Sequence, residues 1–137
     1  MRTAWKVAYS LSMSNDTKPT VTIPETPAPT ELIIEDEIVG EGAEATPGHT
    51  VEVHYVGISW SDANQFDASW DRDETFSFPL GAGHVIPGWE KGVEGMREGG
   101  RRRMTIPPTL GYGATGAGGV IKPNETLVFV VDLISVH

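Results

Sequence analysis

Val51-Glu52-Val53-His54-Tyr55 is the most regular alternation in the chain. Val51, Val53 and Tyr55 point to one side and Glu52 and His54 to the other, the two-residue period of a strand with one buried face. Working outward, Thr75-Phe76-Ser77-Phe78 alternates again, and Arg102, Met104 and Ile106 oppose Arg101, Arg103 and Thr105. Glu31-Leu32-Ile33-Ile34-Glu35 reads as a further strand, and Glu41-Gly42 with Thr46-Pro47-Gly48 supplies turn chemistry. The run from Thr126 to Ile134 is apolar on both faces, as a central strand would be. One short helix fits between them. Pro87 suits a first helical turn, and Trp89, Val93 and Met96 follow at i, i+4 and i+7 on one face. Gly92 and Gly95 weaken it, so about two turns are expected before Gly99-Gly100. The sum is an α+β domain, an antiparallel sheet wrapped against one helix.

Upstream, residues 14–29 carry Pro19, Pro24, Pro27 and Pro29 among Thr, Asp, Lys and Glu. Proline lacks a ladder donor and holds its predecessor extended. Residues 1–29 are therefore expected to form a disordered Pro/Thr-rich leader, and 30–137 the folded domain. Met13 would serve equally well as a start, and residues 1–12 read as an upstream extension with no part in the fold. Lys6 and Ser10 interrupt any signal-like apolar stretch, and no run approaches the length of a membrane span.

The bulk composition excludes several functions. Nineteen acidic residues face ten basic ones, and a net charge of −9 argues against a nucleic-acid partner. Arg101-Arg102-Arg103, the only basic run, is expected to be a solvated stripe. With no cysteine there are no disulfides or thiolate zinc sites, which fits a cytoplasmic setting. His49, His54, His84 and His137 show no convincing metal-ligand spacing, and His54 is expected at the surface. Gly111, Gly113 and Gly116 have dinucleotide-fingerprint spacing, but Pro123 and no helix follow them. Hydrolase, kinase and oxidoreductase readings find no motif.

What remains is an aromatic and aliphatic set with a few polar tips. Taken singly, Trp89 reads as core before it reads as a ligand site, because large aromatics dominate cores. The set nevertheless occurs in ordered blocks: Val53-His54-Tyr55-Val56-Gly57, Phe66-Asp67-Ala68-Ser69, Phe76-Ser77-Phe78-Pro79-Leu80-Gly81 and Val85-Ile86-Pro87-Gly88-Trp89-Glu90. They continue through Ile106-Pro107-Pro108 and Tyr112-Gly113-Ala114-Thr115-Gly116 to Pro123-Asn124-Glu125-Thr126-Leu127-Val128-Phe129. From about Leu32 to Val136 this pattern resembles the FKBP family of peptidyl-prolyl cis–trans isomerases, the macrolide-binding immunophilins.

The resemblance implies a curved five- to six-stranded antiparallel sheet around one short helix, with a ligand cup between them. It implies Trp89 as the floor and Tyr55, Phe76, Val85, Ile86, Ile121 and Phe129 as walls. Tyr112 resembles the residue whose hydroxyl bonds a ligand carbonyl, and the Ile86 N–H a second donor. Phe66 and Asp67 resemble the pair beside the substrate carbonyl, with Arg72 as the ion-pair partner of Asp67. Ala117-Gly118-Gly119 replaces bulkier residues and implies a lower rim. Arg102 stands where a small apolar residue is common and is expected to snorkel to the sheet edge. The implied activity is rotation about X–Pro bonds of proline-containing polypeptides, without cofactor or metal, in a monomer that takes macrolides such as tacrolimus and rapamycin. A non-catalytic adaptor or chaperone that keeps the cup is the alternative. Retention of all six of Trp89, Tyr55, Phe66, Asp67, Tyr112 and Phe129 favours the enzyme.

Overall fold

A computed structural model describes residues 17–137. Six strands are antiparallel: β1 (Ile33–Ile38), β2 (Thr50–Ser59), β3 (Gln65–Ala68), β4 (Phe76–Pro79), β5 (Arg101–Ile106) and β6 (Leu127–Val136). The order across the sheet is β1-β5-β6-β2-β3, and β4 pairs with the other half of the β2 edge. Val51 and Val53 of β2 thus face Phe78 and Phe76, whereas Val56 and Gly57 face Ala68 and Asp67. α1 (Pro87–Val93), the one α-helix among the described residues, crosses the concave side.

The alternation seen in β2 sets the core. Val51, Val53 and Tyr55 join Met104, Ile106, Leu127, Phe129, Val131 and Leu133 on the concave side, against Trp89, Val93 and Met96. β6 is central and buried on both faces as far as Leu133. Two glycines explain how so short a helix sits so low. A Cβ on Gly88 would lie 2.5 Å from Ile106 Cγ2, and one on Gly92 would overlap Met104 Sδ. The glycines that weaken α1 by propensity are the ones that let it approach β5.

The basic run is no solvated stripe. Arg101 is 7% exposed and its Nε bonds Asp132 Oδ1 at 2.7 Å. Arg102 reaches the edge strand as expected, bonding Asp36 of β1, but it also donates to the carbonyls of Gly92 and Glu94 at the end of α1. Those carbonyls have no helical partner, and a cation there is doubly favourable.

The leader departs from expectation as well. Within the expected disordered segment, residues 17–23 lie against the convex face of the sheet. Arg101 and Arg103 donate to the carbonyls of Thr17 and Thr22, and Val21 and Ile23 pack, as Trp70 does, against Val56, Ile58 and Ala68. The prolines keep this stretch extended, and the arginines saturate backbone groups that a frayed chain would leave to water. The expected upstream extension, residues 1–12, lies outside the described residues.

Candidate active site

The concave sheet and α1 enclose a cup of about 420 Å³ whose lining includes Tyr55, Phe66, Phe76, Trp89, Tyr112 and Phe129. Trp89, the third residue of α1, is 4% exposed and forms the floor. Tyr55 and Phe129 stand edge-on to its ring at centroid distances of 5.2 and 5.3 Å, and Phe76 and Phe78 at 6.0 and 5.6 Å. Such T-shaped contacts fix ring orientation beyond the effect of burial alone. Phe66 stands edge-on to Phe129 across Gly57, whose absent Cβ would meet both rings within 2.8 Å.

One side of the mouth is polar. The Tyr55 hydroxyl donates to Asp67 Oδ2 at 2.5 Å, Arg72 Nη1 bonds Asp67 Oδ1 at 2.6 Å, and Arg72 Nη2 donates to the Tyr55 oxygen at 3.0 Å. The three groups close a triangle. Burial acts to raise the Asp67 carboxyl, but the bonds from Tyr55 and Arg72 and the charge of Arg72 outweigh it and hold Asp67 below the usual carboxylate range. Burial, with the bond to Asp67, pushes the Tyr55 phenol up. Asp67 therefore stays an anion despite its aromatic neighbours.

Opposite lies the loop that feeds α1. Glu90 accepts from the Gly81 and Gly83 amides through its two carboxylate oxygens, at 2.8 and 2.6 Å, and so ties that loop to the helix. Ile86 is the extended residue before α1, and its carbonyl accepts from the Trp89 and Glu90 amides. Tyr112 is 41% exposed on the rim, in a turn closed by the bond from the Gly116 amide to its carbonyl.

The structure brings nine of the expected residues to the cup: Tyr55, Phe66, Asp67, Phe76, Val85, Ile86, Trp89, Tyr112 and Phe129. Arg72 stands behind Asp67 and Tyr55. Ile121 is not in the lining. It is 6% exposed in the core and exchanges backbone bonds with Ala117 to close the rim turn. Gly83 and His84 line the cup without having been singled out. They belong to an irregular loop, where no periodicity marks direction. His54 is not a surface residue either: its ring stacks on Trp70 at 4.1 Å and its Nδ1 meets Ser69 Oγ at 2.7 Å. Among the described residues no cluster of His, Asp and Glu has metal-binding geometry, and no helix is long and apolar enough to cross a membrane.

Residues 41–134 match the family model for the FKBP-type peptidyl-prolyl cis-trans isomerase. The chain belongs to this family. The isomerase is 52% identical over 118 residues to the probable FK506-binding protein of Corynebacterium glutamicum, covering 86% of this chain and 98% of that one. It is likewise 52% identical to the FK506-binding protein of Streptomyces anulatus, covering 87% and 97%. The isomerase fold superimposes on the crystal structure of AtFKBP13 with a TM-score of 0.71 at 37% identity, covering 79% of this chain and 94% of that one. Fold class and activity expected from the sequence, an α+β FKBP-type peptidyl-prolyl isomerase, stand on these findings.

Proposed function

We propose that the cup floored by Trp89 is where this isomerase rotates the X–Pro bond, and that the triangle of Tyr55, Asp67 and Arg72 orients the peptide over it. Resonance sets a barrier of about 18–20 kcal/mol for that rotation. In the twisted state nitrogen and carbonyl are deconjugated, and the amide is less dipolar than when planar. A dry aromatic pocket favours the twisted amide over the hydrated planar one, and only such preferential binding accelerates the reaction. The proline ring rests on the Trp89 indole, between Phe76, Val85 and Phe129. The Ile86 N–H and the Tyr112 hydroxyl bond peptide carbonyls, and Asp67 with Phe66 faces the carbonyl that turns. No covalent bond breaks, so no nucleophile is required of the chain.

The observation that carries this reading is the ionised Asp67, clamped between Tyr55 and Arg72 at the mouth of an otherwise apolar cup. Proline-containing polypeptides are the substrates, and macrolides of the tacrolimus and rapamycin type compete for the cup. The chain acts as a monomer, and its lack of cysteine suits the cytoplasm. Stopped-flow isomerisation of a proline tetrapeptide, with and without tacrolimus, tests this. Trp89→Leu and Phe129→Ala should each cost about tenfold or more in kcat/KM, the loss of one good ring contact. Full activity in both variants would overturn the pocket assignment. An inactive wild type that still binds the macrolide would reduce the cup to a binding module.

A further inference from the structure

The turn that presents Arg72 is held from the side of the sheet away from the cup. It is a single 3-10 turn, Ser69–Arg72, with no side-chain cap on its first residue and with Asp73 after it at φ 50°. So short a 3-10 segment has little stability of its own. Inside, Ser69 Oγ accepts from the Tyr55 amide at 2.7 Å, and Arg72 makes its two bonds to Asp67 and Tyr55. Outside, the two middle residues of the turn face residues 17–23. Lys18 Nζ pairs with Asp71 Oδ1 at 2.9 Å, while Gln65 holds the other oxygen at 2.8 Å. Trp70 packs against Val56, Ile58 and Ala68, the same buried cluster on which Val21 and Ile23 rest.

Residues 17–23 are themselves tied down. Pro19, Val21 and Ile23 are half-buried while Thr20 and Thr22 are exposed, so the stretch alternates like an extra strand. The Thr17 and Thr22 carbonyls accept from Arg101 and Arg103 of β5, and Arg101 is fixed in turn by the buried Asp132. One continuous set of contacts therefore runs from β5, under the sheet, to the turn that carries Arg72.

We propose that residues 17–23 form a strap that positions the ion pair of the active-site cup, with Lys18 gripping Asp71 and Val21 and Ile23 seated on the cluster that also holds Trp70, so that Arg72 stays against Asp67 and Tyr55. These three are positioning residues and touch no substrate. The inference rests on the reading that the Tyr55–Asp67–Arg72 triangle orients the peptide. The Pro-rich leader becomes a working part of the site, acting through the thickness of the sheet.

A double-mutant cycle in the full chain tests it. Lys18→Ala/Val21→Ser/Ile23→Ser and Arg72→Ala are each compared with wild type, then combined, under conditions where all are folded. Each should lower kcat/KM for the proline tetrapeptide about threefold or more, and the combination should add nothing, because contacting networks are non-additive. Lys18→Arg should keep wild-type activity. In the strap variant the Asp67 carboxyl, followed by carbon NMR, should titrate higher than in wild type, which loss of distant packing alone would not produce. Should the triple variant fail to fold, Lys18→Ala, an exposed side chain, carries the same cycle. Unchanged kcat/KM in the strap variant beside a damaged Arg72→Ala would overturn the strap's role. So would losses that multiply. Wild-type activity in Arg72→Ala, with an active wild type, would overturn the ion-pair reading and the strap's role together.

Discussion

Phe66 and Phe129 meet edge to face at 5.4 Å and 89°, and they can do so only because Gly57 carries no side chain. Gly57 pairs with Asp67 on one side of β2 and with Phe129 on the other, directly beneath both rings. Adding one methyl there tests how far the cup depends on ring placement. Gly57→Ala should force Phe66 or Phe129 off its position, costing about 1–3 kcal/mol of stability as overpacking does. It should also lower kcat/KM by more than the stability loss explains. Denaturant titration and the tetrapeptide assay, run on the same preparation, check this; unaltered activity would mean that the ring pair is not needed.

The two glycines beneath α1 should respond differently to the same change. A methyl on Gly88 meets the branched, fully buried Ile106, whereas a methyl on Gly92 meets the flexible end of Met104. Alanine improves helix propensity by about 1 kcal/mol at either place. Gly92→Ala should therefore be near neutral, and Gly88→Ala destabilising by about 1–3 kcal/mol. Thermal unfolding of the two variants decides, and equal effects would contradict this account of the helix–sheet contact.

The cup should work over a wide pH range. Asp67 is held below the usual carboxylate range and Tyr55 above the usual phenol range, so neither changes charge between about pH 5 and 9. A flat profile of kcat/KM across that window is expected. An inflection inside that window would contradict the fixed charges of Asp67 and Tyr55. Asp67→Asn should lower activity at every pH without introducing a limb.

Stability has a separate pH signature in the buried pair Arg101–Asp132. Desolvation pushes the Asp132 carboxyl up to about 6, against the bond and charge of Arg101. In the unfolded chain an aspartate titrates near about 3.9. Between those values the folded protein holds a proton that the unfolded one has released. The contribution of Asp132 is thus full below about pH 4 and is lost as pH rises through about 6. The difference in unfolding free energy between wild type and Asp132→Asn, measured by denaturant titration from pH 4 to 8, should fall across that window and level off above it. Arg101→Met leaves the carboxylate without its cation and should cost about 3–5 kcal/mol at neutral pH.

Much of this was legible in the sequence because it is local. The alternation of Val51, Val53 and Tyr55 gives β2 its faces, and the spacing of Trp89, Val93 and Met96 gives α1 its buried side. The ordered aromatic blocks mark the cup, since each wall sits in a strand or at a helix start whose direction follows from its period. Ile121 was expected from the resemblance alone, because a turn residue has no period to say which way it points. The charged partners were hidden for a different reason. Arg101 is satisfied by Asp132 and Thr17, and Arg103 by Thr22, all remote along the chain, so the run read as surface. The strap was invisible because it sits in a Pro/Thr-rich stretch with the composition of a frayed leader, while its anchor points lie in β5.

The lining residues of the cup come from β2, β3, β4, the loop before α1, α1 itself, the turn at Tyr112 and β6. No two adjoining elements hold enough of it to bind a proline ring. The pocket therefore belongs to the assembled sheet: it exists only where β2 has paired with β3, β4 and β6. A chain that lacks one of those pairings lacks the cup, and Trp89, enclosed by rings from three strands, is a lining tryptophan whose surroundings change with it.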